Sequence, residues 1–474
     1  MKGIQVIGHN STSFFVTDLS DKEKFVRITA YSLGQLNQQW SQQYPLSEDE
    51  KFESIEYVHG QFMLFTSRYG TKAEQLQVYC LLLDETGNKK SEASLVHQAI
   101  SADKGSAPEF GLVFSPDSTK ILLYFDPPFE RKGTEALSFK CYNPGLELQW
   151  EKEMLLPYTQ EIVQVHSFLI DNDGDIYMMS GRNPSKNGRQ WQKPQGARYV
   201  VFYYNGINNK LKEYDISLKD KQVMSVIFSL NKNQDVLITG YYSNDFRFSA
   251  AGSILFSIGA HGGAVKTASF MPFSVEFLSE FMRKSDAEKF ASLPDYFLDH
   301  MIITEDGGML LIGEQYYASE NTITDPTTGR QTIEYRYNFD DIIVTRIDAN
   351  GRHLWNTKIP KRQYTISDTR NCSYQCFTTS DELHIYFNDD EENTEKFQST
   401  TDEGASLWTG SKSSITSHVT VNSDGKTVRK TLFSNKEKDS LLNVYYGLHS
   451  LSGPQLLGYE DGKSFRFCTI YGTH

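Results

Sequence analysis

A chain of 474 residues is long for one ordinary domain and fits either two or three domains or a repeat architecture whose small units share one core. Sixty Asp and Glu against 47 Lys and Arg leave a net charge of −13 without any basic block, which argues against nucleic acid and anionic membrane surfaces as partners. No run of about 18 apolar residues occurs, so no membrane span is expected, and a 13% aromatic content suits half-buried strands.

The chain opens on "MKGIQVIGHNSTSFF", which lacks the apolar stretch of a signal peptide. The protein is therefore expected to be cytoplasmic, or periplasmic or extracellular if an upstream export signal was removed. Beyond it one pattern recurs: strand, tight polar turn, strand, long variable loop, strand, Gly turn, strand. The first turn reads "SPDSTK" (115–120), "DNDGD" (171–175), "NKNQD" (231–235), "TEDGG" (304–308) and "TSDE" (379–382). The second reads "DETGN", "NPGLE", "NNK", "ANGR" and "SDGK", each flanked by period-two alternation of the hairpin type.

Units recur at roughly 45 to 75 residues, a spacing that in an all-β chain points to propeller blades. Eight units begin near residues 2, 54, 109, 163, 222, 297, 373 and 443. An all-β propeller of eight blades is the first expectation and seven the second, as a single domain spanning 1–474. The last unit has room for only three strands, so an N-terminal strand near "GIQVIG" is expected to supply its missing edge. Trp40, Trp150 and Trp355 each follow the Gly turn and are expected to pack a fourth, outermost strand against the neighbouring blade.

Asp348, Gly351 and Trp355, with Asp84, Thr86 and Gly87, resemble the repeat of quinoprotein-type (PQQ-type) propellers. That likeness implies the fold and no cofactor, since the loose repeat specifies no quinone pocket. "GGMLLIGEQYY", "FDDIIVTRID", "HLWNTKIPKRQ" and "ITGYYSNDF" resemble an uncharacterised bacteroidete propeller family, a likeness that implies lineage without activity.

In such a fold the long loops 125–136, 181–197, 314–338 and 388–414 open on one face, where binding residues usually sit. Trp191, Tyr241, Tyr242, Glu314, Tyr316, Tyr317 and Trp408 are the candidate ligand-binding residues there. The same face receives an amphipathic helical insertion, 272–297. Its Phe277, Phe281 and Met282 either pack on the rim or form a partner-docking arm, and Ser285 with Glu288 reads as a capping box. Residues 388–414 are polar enough to form a mobile flap, held by Trp408.

No catalytic signature appears. "DNDGD" lacks the Gly and Glu spacing of a calcium loop, the five cysteines show no metal spacing, and no G-x-S-x-G, H-E-x-x-H, P-loop or Asp-box motif is present. No catalytic residue, metal or cofactor is expected. The leading expectation is a non-catalytic binding or scaffold propeller, monomeric or a subunit of a larger complex, whose long-loop face takes a protein or glycan. The alternative is a propeller hydrolase or lyase acting on a glycan or peptide, with Glu314, Asp340 and Asp341 bracketing one loop.

Overall fold

The computed structural model describes residues 4–20, 24–70, 75–100, 109–126, 130, 132–182, 198–244, 249–324, 326–379, 382–396, 404–411, 413–448, 455–461 and 464–470. Among them the chain forms eight successive antiparallel sheets. Seven are four-stranded meanders, the sixth with a short fifth strand, and the last has three strands. Their first strands are Gln5–His9, Glu50–Val58, Glu109–Phe114, Val163–Ile170, Gln222–Leu230, Tyr296–Ile303, Gln375–Thr378 and Leu441–Leu448. These starts lie within four residues of the expected ones. No described helix is long and apolar enough to cross a membrane.

The repeated turns have one chemical cause. An Asp or Asn side-chain oxygen accepts the backbone N–H groups two and four residues on. Asp84 does so for Thr86 and Asn88, Asp171 for Asp173 and Asp175, Asp348 for Asn350 and Arg352, and Asn422 for Asp424 and Lys426. The residue three on is left-handed, which Gly87, Gly174, Gly351 and Gly425 adopt without a Cβ penalty.

Packing between sheets is equally regular. Trp40, Trp150 and Trp355 lie on the fourth strands of the first, third and sixth sheets. Each ring sits under a third-to-fourth turn of the following sheet, at Gly87, Gly206 and Gly425. The indole Nε1 of Trp355 donates to the Ser423 carbonyl at 2.8 Å. Apolar clusters fill the space between every sheet and the next, and one built on Phe14, Val16 and Leu456 joins the first sheet to the last. Sheets that pack face to face in sequence order, with the last against the first, form a β-propeller.

The closure differs from the expectation. Gln5–His9 pairs with Ser13–Ser20 as the first strand of the first sheet and does not complete the last one, which ends at Phe465–Ile470. Side-chain packing across that seam does the joining. Beside it lies a cavity of about 240 Å³ lined by Val16, Tyr31, Leu36 and Phe467 among others.

The insertion after the fifth sheet holds two short helices, Val275–Leu278 and Lys284–Phe290. Ser274 caps the first through Phe277 N. The Ser285/Glu288 box does not form, because the second helix begins two residues earlier, with Arg283 at the cap position, and Arg283 pairs with Asp286 instead. A ribbon of Ser249–Ala250 with Leu293–Pro294 ties the insertion down.

Candidate functional site

The long-loop face is dominated by an element that the sequence disguises. Met309–Thr324 and Gln331–Ile347, the middle strands of the sixth sheet, run far past its edge. The outer strands stop at Tyr296, opposite Gln315, and at Ile359, opposite Ile342. Beyond them the pair continues through nine registered partners, from Tyr316↔Phe339 to Thr324↔Gln331, an arm of roughly 30 Å. Among the described residues only the strand Gln363–Thr365 pairs with its base.

Strand alternation gives this arm two unlike faces. Register places Tyr316, Ala318, Glu320 and Thr322 with Phe339, Tyr337, Tyr335 and Ile333 on one side. The other side carries Tyr317, Ser319 and Asn321 with Asn338, Arg336 and Glu334, and it is hydrogen-bonded internally. Asn338 donates to Ser319 Oγ at 3.0 Å, and the Arg336 guanidinium lies over the Tyr364 ring. The aromatic side is open: Tyr316, Ile333 and Tyr335 are 36%, 53% and 50% exposed.

At the foot of the arm lies a buried ionic cluster. The Lys361 ammonium, fully enclosed, pairs with Glu314 Oε1 at 2.7 Å and donates to the Phe339 carbonyl and Gln363 Oε1. Ser373 Oγ donates to the second Glu314 oxygen at 2.7 Å. Burial pushes the Glu314 carboxyl up despite Lys361, and Asp340, whose charge reaches Glu314, is also raised by burial. Asp341 pairs with Lys358 at 3.0 Å. Glu314 thus lies against the Lys361 ammonium, while Asp341 accepts the Lys361 backbone N–H and pairs with a different lysine. Next to it Gln363 reaches the Asn388 carbonyl, and Arg429 holds Asp389, which Ser417 and Asn393 also bond.

Asp299 adds a titratable group that sequence reading missed. It is the extra residue of a bulge in Tyr296–Ile303, between Leu298↔Gly313 and His300↔Ile312. Bulges of this kind recur on the first strands of the first, second, fourth and fifth sheets and re-aim a side chain out of the ladder. Asp299 is exposed over part of its surface, while protein atoms crowd its carboxyl group. That enclosure, with Glu314 nearby, pushes its carboxyl up to about 7, and Tyr374 OH donates to it at 2.9 Å. A carboxyl raised by its surroundings and reachable from solvent is a candidate proton donor or acceptor.

Several candidate residues lie elsewhere than expected. Tyr241 and Tyr242 are core residues, not rim aromatics: their strand, Val236–Ser243, is buried on both sides. Tyr317 is turned to the polar side, where its hydroxyl donates to Asp340. Trp408 is buried rather than exposed. Its backbone bonds Arg362 and Tyr364, and its indole donates to the Ser411 carbonyl, pinning 404–411 to the rim. Phe277 is buried, and Phe281 and Met282 pack on the same core cluster, so the insertion covers its own propeller and is not a docking arm. Trp191 lies outside the described residues. Tyr316 alone of the candidate aromatics lies open on the long-loop face among the described residues.

The fold and this site define a β-propeller carrying a β-arm on one face. No family model matches the sequence, and no curated protein does. Among solved structures the chain is similar to a post-proline cleaving enzyme from Rickettsia typhi, at 8% identity and a TM-score of 0.40, covering 96% of this chain and 57% of that one. It is similar to the Pyrococcus horikoshii acylaminoacyl peptidase, at 8% identity and 0.37, covering 87% and 50%. It is also similar to the β-propeller domain of the Trilobed protease from Pyrococcus furiosus, at 8% identity and 0.34, covering 77% and 96%. The chain thus spans about half the length of the two peptidases.

Proposed function

We propose that the chain is an eight-bladed propeller that binds a protein partner on its long-loop face, with the arm 316–339 as the principal contact. The observation that carries this reading is the uncovered stripe of Tyr316, Ile333 and Tyr335. A two-stranded ribbon standing away from its sheet is marginal in water, and an exposed aromatic stripe on one gains its stability when a partner covers it. The eight-blade count is supported by eight inter-sheet clusters, one of which joins the ends of the chain. A photo-reactive residue at Tyr335 should give a discrete adduct with a partner protein. The same residue at Ile207, exposed on a turn of the opposite face, should give none. Adducts from both sites alike, or from Ile207 only, would overturn the reading.

The hydrolase or lyase alternative has its own specific support in Asp299, with a carboxyl near 7 beside Tyr374 and Glu314. Screening glycan and peptide substrates tests it. Turnover abolished in Asp299→Asn with unchanged stability would favour it over pure binding, and turnover indifferent to that change would remove Asp299 from any mechanism.

A further inference from the structure

On the opposite, short-turn face, we propose that Asp171, Asp175 and His261 bind one divalent first-row transition ion of the Zn²⁺ or Mn²⁺ class. The two acids come from the "DNDGD" turn of the fourth sheet, and the imidazole from the third-to-fourth turn of the fifth sheet.

The donors converge. His261 Nδ1 lies 3.5 Å from Asp175 Oδ2 and 4.0 Å from Asp171 Oδ2. Two ligands each about 2.1 Å from a shared ion at a tetrahedral angle stand roughly 3.4 Å apart. His261 and Asp175 already have this spacing, and all three donor atoms lie within 4.8 Å of one another, so Asp171 must draw in for the ion to be held by all three. Two carboxylates and one imidazole suit Zn²⁺ or Mn²⁺ better than Ca²⁺, which takes six or more oxygens.

An independent observation points to a ligand. Asp171 is fully buried, and its Oδ1 is committed to the backbone of Asp173 and Asp175, yet its Oδ2 has no hydrogen-bond partner. A buried carboxylate oxygen without a donor is costly unless a cation meets it. The fifth sheet shows how the same turn is neutralised otherwise. There Asp235 stands where Asp175 does and is held by Lys266 at 2.7 Å, while neutral Asn231 replaces Asp171. No Lys or Arg pairs with Asp171 or Asp175 among the described residues; His261 faces both, and beside them stand the neutral hydroxyls of Tyr177 and Tyr203.

The surroundings fix the ligands. Tyr203 OH and Asn205 donate to the two Asp175 oxygens at 2.7 and 2.6 Å. The Asp173 carboxylate lies 3.6 Å from His261 Nε2, where it orients the ring with Nδ1 toward the acids. Tyr177 and Tyr214 hold the backbone at Gly262 and Gly263. The ion would clamp two neighbouring sheets, a structural role.

Calorimetric titration of the chelator-stripped full chain with Zn²⁺, in the presence of Mg²⁺, tests this. Binding of one equivalent is expected, with a raised melting temperature. His261→Asn, at an exposed left-handed position that Asn tolerates, and Asp171→Asn, which keeps the turn acceptor, should each weaken uptake by more than tenfold. Asp173→Asn should weaken it about tenfold. Absence of stoichiometric uptake, or uptake that His261→Asn leaves unchanged while the variant melts like the wild type in chelator, would overturn the proposal.

Discussion

Removing the ammonium at the foot of the arm is a severe perturbation whose size can be worked out. Lys361 and Glu314 are buried and 2.7 Å apart. At that distance their attraction in an effective dielectric of about 20 is about 6 kcal/mol, and the desolvation already incurred in burying both charges returns much of it. Lys361→Met leaves Glu314 as an enclosed carboxylate with only Ser373 donating to it, so a loss of about 3–5 kcal/mol is expected. Lys361→Met with Glu314→Leu removes both charges and should recover most of that loss. A denaturant series on the two single variants and the double gives the coupling between them. The pH dependence has a definite sign. Without Lys361 the Glu314 carboxyl, already raised by burial, is raised further, so the folded state holds its proton to higher pH than the unfolded chain. The variant should therefore lose stability, relative to wild type, as pH rises through the Glu314 value, and regain it in acid. A Lys361→Met cost below about 1 kcal/mol, or a double variant no better than the single, would show that the ammonium does not hold Glu314 in place.

Trp355→Ala should lower the melting temperature by emptying the seat under Gly425, at a cost below the ~3–5 kcal/mol of a fully buried Trp because the ring is half-buried. At Gly313 a Cβ would stand 2.5 Å from the Phe297 carbonyl, so Gly313→Ala should lower the melting temperature even though its volume change is small. Asp299, with its carboxyl raised to about 7, contributes stability that is present below about pH 4 and lost as pH rises to about 7, so Asp299→Asn should melt above wild type at pH 8 and near it at pH 4. Trp408→Ala should speed hydrogen exchange in 404–411 while the Glu382–Asp389 strand keeps its protection.

The repeat was legible because its signals are local. An Asp or Asn followed by a left-handed Gly fixes a turn within five residues, and a Trp after it marks an outer strand whatever the neighbour. Tyr241 and Tyr242 misled because a strand buried on both faces presents its aromatics inward as readily as outward. The arm has the composition of a loop because a ribbon exposed on both faces has no continuous apolar run. Its cue was the alternation of "IEYRY", 333–337, after the "DPTTG" turn. Lys361 and Asp299 carry no sequence signal: one follows Pro360 in a linker, and the other acquires its environment from a bulge and from Tyr374, 75 residues away.

The most direct test of the proposed function is an affinity measurement on the arm. A variant with Tyr316, Ile333 and Tyr335 all changed to Ser leaves the ladder and the propeller core untouched. Against the partner captured by the photo-reactive probe, at least a hundredfold weaker binding is expected at an unchanged melting temperature, since exposed apolar anchors each contribute about 1–2 kcal/mol or more. Unchanged affinity in that variant would contradict the proposed function.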